Sequence, residues 1–148
     1  MPLTNLFKNS IYYWGFAAAV GYPLVHPAYT APGRTQVIIG TIGWTLSQLT
    51  NFAVHSQLAA MRGEEGDTAR TPPKGLLFSL VTSPNYTAEV AGWISWSLLS
   101  QISGAYVFTL FGLGQMTDWA QKKYRDYKKT DAGKIYTKGR KSIIPYII

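Results

Sequence analysis

The chain contains no cysteine and only two histidines, His26 and His55. Disulfides and thiolate metal ligands are thereby excluded, and a histidine-based metal centre lacks the ligands it needs. Acidic groups are also scarce: seven Asp and Glu stand against fourteen Lys and Arg, for a net charge of +7. The longest absences are of charge itself. No charged side chain occurs between Lys8 and Arg34, between Arg34 and Arg62, or between Glu89 and Asp118, and each gap meets the roughly 20 residues needed to cross a bilayer core. The soluble dinucleotide fingerprint is missing too. Gly112-Leu113-Gly114 lacks a third glycine and sits in an apolar stretch, not between a strand and a helix. No Gly-x-x-x-x-Gly-Lys-Ser/Thr phosphate loop, Ser/His/Asp arrangement, internal repeat or low-complexity tract is present.

What remains predicts one membrane domain over residues 1–148, an all-α polytopic transmembrane bundle of about four spans with a basic C-terminal interfacial helix. The first span is expected over residues 11–29, with Tyr12, Tyr13 and Trp14 as an interfacial belt and a turn at Pro32-Gly33. The second covers residues 35–61 and leads into a hydrophilic loop, 62–74, holding three acidic and three basic residues. Residues 75–117 are too long for one crossing. If the loop and the basic tail share a side, as the positive-inside tendency predicts, an even number of crossings separates them. The segment therefore reads as a hairpin: one limb over 76–101, interrupted at Ser83-Pro84, and another over 104–117, with the turn near Ser103-Gly104. Residues 1–8 lack the basic start, short apolar core and small-residue cleavage site of a secretory leader, so the first span is expected to anchor the mature chain.

Nine of the fourteen basic residues fall within 122–141. They directly follow an apolar span, a position that marks the cytoplasmic or matrix-like side and favours anionic lipid headgroups over nucleic acid.

Within this apolar frame, Ser83-Pro84-Asn85-Tyr86-Thr87-Ala88-Glu89 sets a carboxylate, an amide and a phenol together. Ionisable groups at membrane depth face a cavity, a cofactor or one another, which makes Glu89 a functional candidate. Ser83 is placed to N-cap a helix and Pro84 to occupy its first position, putting Asn85 and Glu89 one turn apart on one face. The alternative is a Pro-Asn turn with Glu89 reaching water at an interface. A second stripe, Gln48, Asn51, His55 and Arg62, recurs at helical offsets and implies a shared polar partner, although His55 taken alone reads as a packing histidine rather than a ligand. In the tail, Trp119, Lys123 and Tyr127 form one aromatic and cationic face of a helix continuing out of the last span, or a snorkelling interfacial helix. Arg140-Lys141 then precedes the apolar Ile143-Ile144-Pro145-Tyr146.

These motifs also form an ordered series: Met1-Pro2-Leu3, Phe7-Lys8-Asn9, Tyr12-Tyr13-Trp14-Gly15-Phe16, Asn51-Phe52-x-x-His55, Pro84-Asn85-Tyr86-Thr87-x-Glu89, Gln115-Met116-Thr117-x-Trp119-Ala120, and Arg140 with Ile143-Ile144-Pro145. Over essentially the whole chain the series resembles the C-terminal half of the very-long-chain trans-2-enoyl-CoA reductases, within the steroid 5α-reductase superfamily. The resemblance implies an all-helical membrane enzyme of fatty-acid elongation that uses NADPH to reduce the 2,3 double bond of an acyl-CoA. It implies an endoplasmic-reticulum location, with the mitochondrial inner membrane as the alternative. Carried over by motif, Asn51, His55 and Arg62 line the cofactor, Asn85 and Glu89 bind near its nicotinamide end, and Tyr127, Arg140 and Lys141 contact its adenosine and phosphate end. Tyr86 matches the active-site tyrosine, a phenol able to protonate the α-carbon as hydride reaches the β-carbon.

The family pattern is not matched everywhere. Ser83 stands where cysteine is common, Ala88 where tyrosine is common and Tyr124 where histidine is usual, and residues 131–137 differ from the pattern. The family's upstream membrane segments have no counterpart before Met1, so the expected partner is a protein that supplies the N-terminal half, or a larger complex. Three functions stay open on sequence: an NADPH-dependent enoyl reductase, an accessory membrane subunit of an organellar or respiratory assembly, and a lipid-binding scaffold.

Overall fold

From Arg34 onward the chain meets neither proline nor charge until Arg62, and nothing there breaks a helical hydrogen-bond ladder. The computed structural model describes residues 3–61 and 72–148. It consists of α1 (Leu3–Leu24), α2 (Arg34–Ala60), a single 3-10 turn (Leu76–Ser79), α3 (Pro84–Ser100), α4 (Ser103–Tyr127) and α5 (Asp131–Thr137). Among the described residues the only β-pairing is an isolated parallel bridge between Val81 and Lys141. The all-helical class is thus as expected, and helices occupy the positions expected for the second span and for the last segment running on into the basic tail. Arg62 and most of the hydrophilic loop lie outside the described residues.

Among those residues α2 alone is long and apolar enough by composition to cross a membrane. The tyrosines of α1 and the charged end of α4 dilute their apolar character, and α3 has 17 residues, about 26 Å at 1.5 Å per residue. Large apolar side chains nevertheless face outward on three of these helices, including Ile11 and Trp14 on α1, Leu49 and Phe52 on α2, and Leu110 and Phe111 on α4.

The main packing contact is the seam between α2 and α3, built from small residues that let the two backbones approach. A Cβ on Gly40 would lie 2.8 Å from Leu99 Cγ, one on Gly43 would lie 2.6 Å from Ser95 Oγ, and one on Gly92 would lie 3.3 Å from Gln48 Nε2. Side chains from outside α3 also satisfy its C-terminal carbonyls, which have no partner within the helix. Gln36 Nε2 donates to Leu98 O (2.7 Å) and Tyr29 OH to Ser100 O (2.8 Å).

Helix α3 ends at Gln101, which adopts a left-handed conformation (φ 52°), and Ile102 then leads into α4. The turn falls just before the predicted Ser103-Gly104. Gly104 serves instead as a contact point, since a Cβ there would lie 3.2 Å from Ala19 O of α1. Ser97 Oγ and Thr109 Oγ1, 2.9 Å apart, tie α3 to α4. Phe16 fastens α1 to this hairpin by stacking on Phe108 (centroids 3.7 Å apart) and meeting Trp93 edge-on (5.7 Å).

Candidate functional site

Helices α1, α2 and α3 enclose a cleft of about 610 Å³, within the range of small-molecule sites. The spacing seen in the sequence explains its polar wall. Gln48 and Asn51, three residues apart on α2, and Glu89, one turn after Asn85 on α3, all line it. Aromatic rings line it as well: Trp44 from α2, Trp93 and Trp96 from α3, and Phe16 from α1. Asn51 Oδ1 is buried without a hydrogen-bond partner, and so is Asn85 Oδ1 at the N-terminal end of α3. Such orphaned acceptors are rare in folded proteins and mark a place for a ligand or water. The cleft therefore offers apolar ring surfaces together with amide and carboxylate groups.

The start of α3 is held by the C-terminal tail. Thr82 N donates to Lys141 O (2.9 Å) and Ser83 N to Ser142 O (3.1 Å), while Lys141 N reaches Leu80 O (3.4 Å). Thr87 Oγ1 donates to Ile143 O. Ile143 is fully buried against Val90, Met116 and Ala120, with Tyr86 packed on the same cluster. Ser83 does precede the helix and Pro84 is its first residue, as expected, but the Ser83 side chain makes no capping bond. Its hydroxyl is buried without a partner.

The residues singled out from sequence thus separate into two groups. Asn51 and Glu89 meet in the cleft, with Gln48 beside them. His55 lies one turn further along α2, exposed and away from the cleft lining, and Arg62 is outside the described residues. Tyr86, three residues before Glu89 and its neighbour on the helix surface, is half-buried and turned toward α4, its ring 6.1 Å from that of Trp119.

The second group surrounds the tail. Tyr127 meets Tyr136 edge-on at 4.9 Å. Burial raises the Tyr136 phenol well above its ordinary pKa, with Tyr127 adding to the effect and Arg140 opposing it. Arg140 lies over the Tyr136 ring (4.8 Å to the centroid), donates from Nε to Phe78 O (2.8 Å), and donates from Nη1 to Tyr136 O. Lys141 is exposed, and its backbone joins the bridge to Val81. Sequence reasoning missed the aromatic walls of the cleft. Trp93 and Trp96 follow Glu89 at helical offsets of four and seven, which is the signal that places them on its side of α3.

The family model described as 3-oxo-5-alpha-steroid 4-dehydrogenase matches residues 1–148. The very-long-chain enoyl-CoA reductase of Dictyostelium discoideum is 43% identical over 148 residues, covering 100% of this chain and 49% of that protein. A trans-2,3-enoyl-CoA reductase-like protein of Mus musculus is 35% identical over 154 residues, covering 99% of this chain and 42% of its own length. The 3-oxo-5-alpha-steroid 4-dehydrogenase 1 of the same organism is 28% identical over 151 residues, covering 97% of this chain and 52% of its own. The chain spans about half the length of the curated relatives it matches, and corresponds to the C-terminal half of the very-long-chain enoyl-CoA reductases. With the match running from the first residue to the last, the chain belongs to the 3-oxo-5-alpha-steroid 4-dehydrogenase family.

Proposed function

We propose that this chain forms the cofactor-binding half of an NADPH-dependent trans-2-enoyl-CoA reductase of fatty-acid elongation, embedded in a membrane through four crossings. The activity is the one named for its relatives. The observation that carries the cofactor assignment is the meeting of Asn51 and Glu89, from different helices, in one aromatic-walled cleft. A nicotinamide ring and its carboxamide fit such a site, since the flat ring suits indole surfaces and the amide suits Asn and carboxylate partners. The orphaned Oδ1 atoms of Asn51 and Asn85 are acceptors in want of a donor. When bound, NADPH supplies the hydride for the β-carbon of the enoyl thioester.

The other roles fall to the chain's own side chains. Glu89 and Asn51 hold the carboxamide end, with Asn85 at the start of α3 beside them. Tyr86 delivers a proton to the α-carbon from the side of α3 that faces α4. By family resemblance His55, Arg62, Tyr127 and Lys141 also contact the cofactor, the last two at its adenosine and phosphate end. The N-terminal half that lines the acyl-CoA side comes from a partner or from further chain.

Four crossings are supported by the outward apolar faces and by the tail, which pairs with residues 80–83 and so lies at the end of α3 that follows the hydrophilic loop. Placement in the endoplasmic reticulum rests on resemblance.

Tyr86→Phe tests the chemistry, because the ring keeps its packing while the donor is lost. With the N-terminal half supplied, NADPH binding should be unchanged and enoyl-CoA reduction should fall at least about a hundredfold, the lower range for a lost general acid. If the wild type so supplied neither binds NADPH nor reduces a trans-2-enoyl-CoA, the enzymatic reading fails and the accessory-subunit role replaces it.

A further inference from the structure

Arg140 is half-buried rather than extended into solvent, and two of its donors are directed at the protein's own backbone. Nε donates to Phe78 O in the turn before α3, and Nη1 donates to Tyr136 O in α5, with the guanidinium lying over the Tyr136 ring. One side chain therefore joins α5 to the segment leading into α3. Directly after it, residues 141–143 run alongside residues 80–83 through the parallel bridge and its flanking hydrogen bonds. The tail then reaches Ile143, whose carbonyl accepts from Thr87 and whose side chain is fully buried beside Tyr86.

Resting on the reductase reading above, we propose that Arg140 is a positioning residue rather than a phosphate ligand: it fastens the C-terminal tail as a strap across the start of α3 and thereby sets the placement of Asn85, Tyr86 and Glu89. Three features of the geometry favour this role. The guanidinium engages two carbonyls, which are acceptors that charge-assisted donors hold strongly. These carbonyls belong to Phe78 and Tyr136, residues that are themselves buried. The strap joins segments about sixty residues apart, so no local helical propensity holds it in place and the Arg140 contacts are a principal tie. Backbone atoms of Thr82 and Ser83, immediately before Pro84, are the points at which the tail's position is passed to the helix.

The test uses the full chain in nanodiscs together with its N-terminal half, comparing the wild type with Arg140→Gln, Arg140→Lys and Thr87→Val. Thr87→Val is nearly isosteric and removes the second tie, to Ile143, together with the long 3.5 Å bond from the same hydroxyl to Ser83 O. Hydrogen exchange at the Thr82 and Ser83 amides reads the strap without reference to activity. Both Arg140→Gln and Thr87→Val should raise exchange there, Arg140→Gln by about tenfold or more, as expected for loss of a charge-assisted hydrogen bond. Arg140→Lys should recover part of the protection. In the reductase assay Arg140→Gln should lower kcat at saturating NADPH while leaving the ratio of NADPH to NADH affinity unchanged.

Unchanged exchange at Thr82 and Ser83 in both Arg140→Gln and Thr87→Val overturns the strap. Selective loss of NADPH over NADH binding in Arg140→Gln makes Arg140 a phosphate ligand and overturns the positioning role. Failure of the wild type to bind NADPH defeats the reductase reading alone, and with it the kinetic half of the proposal, while the exchange result still decides whether the strap exists.

Discussion

The cleft depends on the register of α2 against α3, because only that register sets Asn51 opposite Glu89. Gly43 and Ser95 offer a direct probe. A Cβ on Gly43 would lie 2.6 Å from Ser95 Oγ but 3.5 Å from Ser95 Cβ, so the clash is with the hydroxyl alone. That hydroxyl donates to Ala91 O at 2.8 Å. In Gly43→Ala the strain either persists, at about 1–3 kcal/mol for an overpacked contact, or is relieved by rotating Ser95, which forfeits a hydrogen bond of about 1 kcal/mol. Against this, alanine in a helix interior is favoured over glycine by about 1 kcal/mol. The single variant therefore changes stability modestly, and the informative quantity is the coupling. With Ser95→Ala the nearest neighbour is a methyl at ordinary contact distance, so the same Gly43→Ala change should stabilise by about 1 kcal/mol. A double-mutant cycle, read by SDS-titration unfolding monitored by tryptophan fluorescence, should give a favourable coupling of about 1–3 kcal/mol. A coupling within about 0.5 kcal/mol of zero, the scatter expected of independent sites, would show that the helices do not meet in this register.

Gly133→Ala should disrupt the turn from α4 to α5, because a Cβ there would overlap the Tyr127 carbonyl oxygen and displace the Thr130 hydroxyl that caps Gly133 N. Limited proteolysis between residues 128 and 131 should accelerate, and unchanged cleavage would refute the packing. Cysteines placed at Lys74 and Lys134 of the cysteine-free chain should be labelled from the same side of the membrane. Labelling from opposite sides would rule out an even number of crossings between them.

Much of this architecture was legible because charge and proline punctuate the chain so plainly. The uncharged run after Arg34 was read as residues 35–61 and folds as Arg34–Ala60. The hairpin turn was misplaced by about two residues for a physical reason. Gln101 adopts its left-handed conformation with nothing in its residue type to announce it, whereas Gly104, an ordinary turn signal, serves the approach of α1. Helical spacing brought Asn51 and Glu89 to notice, but it could not show that His55, one turn on, would lie beyond the cleft. That depends on where the helices cross.

The seam of Gly40, Gly43, Gly92 and Ser95 was present in the sequence as small residues at helical offsets, yet only the partner helix shows which side of each is in contact. The strap gave no signal at all. Its pairing joins two irregular segments far apart in the chain, and the resemblance reads Arg140 as a contact for the cofactor's phosphate end, not as a tie between those segments.

The central claim is that α2 and α3 together hold a nicotinamide cofactor through Asn51 and Glu89. Calorimetric titration of NADPH into the full chain with its N-terminal half tests it most directly, comparing wild type, Asn51→Leu, Glu89→Gln and the double variant. The account predicts saturable binding to the wild type, a loss of about one to two decades in Glu89→Gln, as for a hydrogen bond to a charged group, and a loss of up to about one decade in Asn51→Leu, as for a neutral one. The double variant should lose less than the product of the two, since the residues act on one bound group. Wild-type affinity retained in both single variants would contradict it.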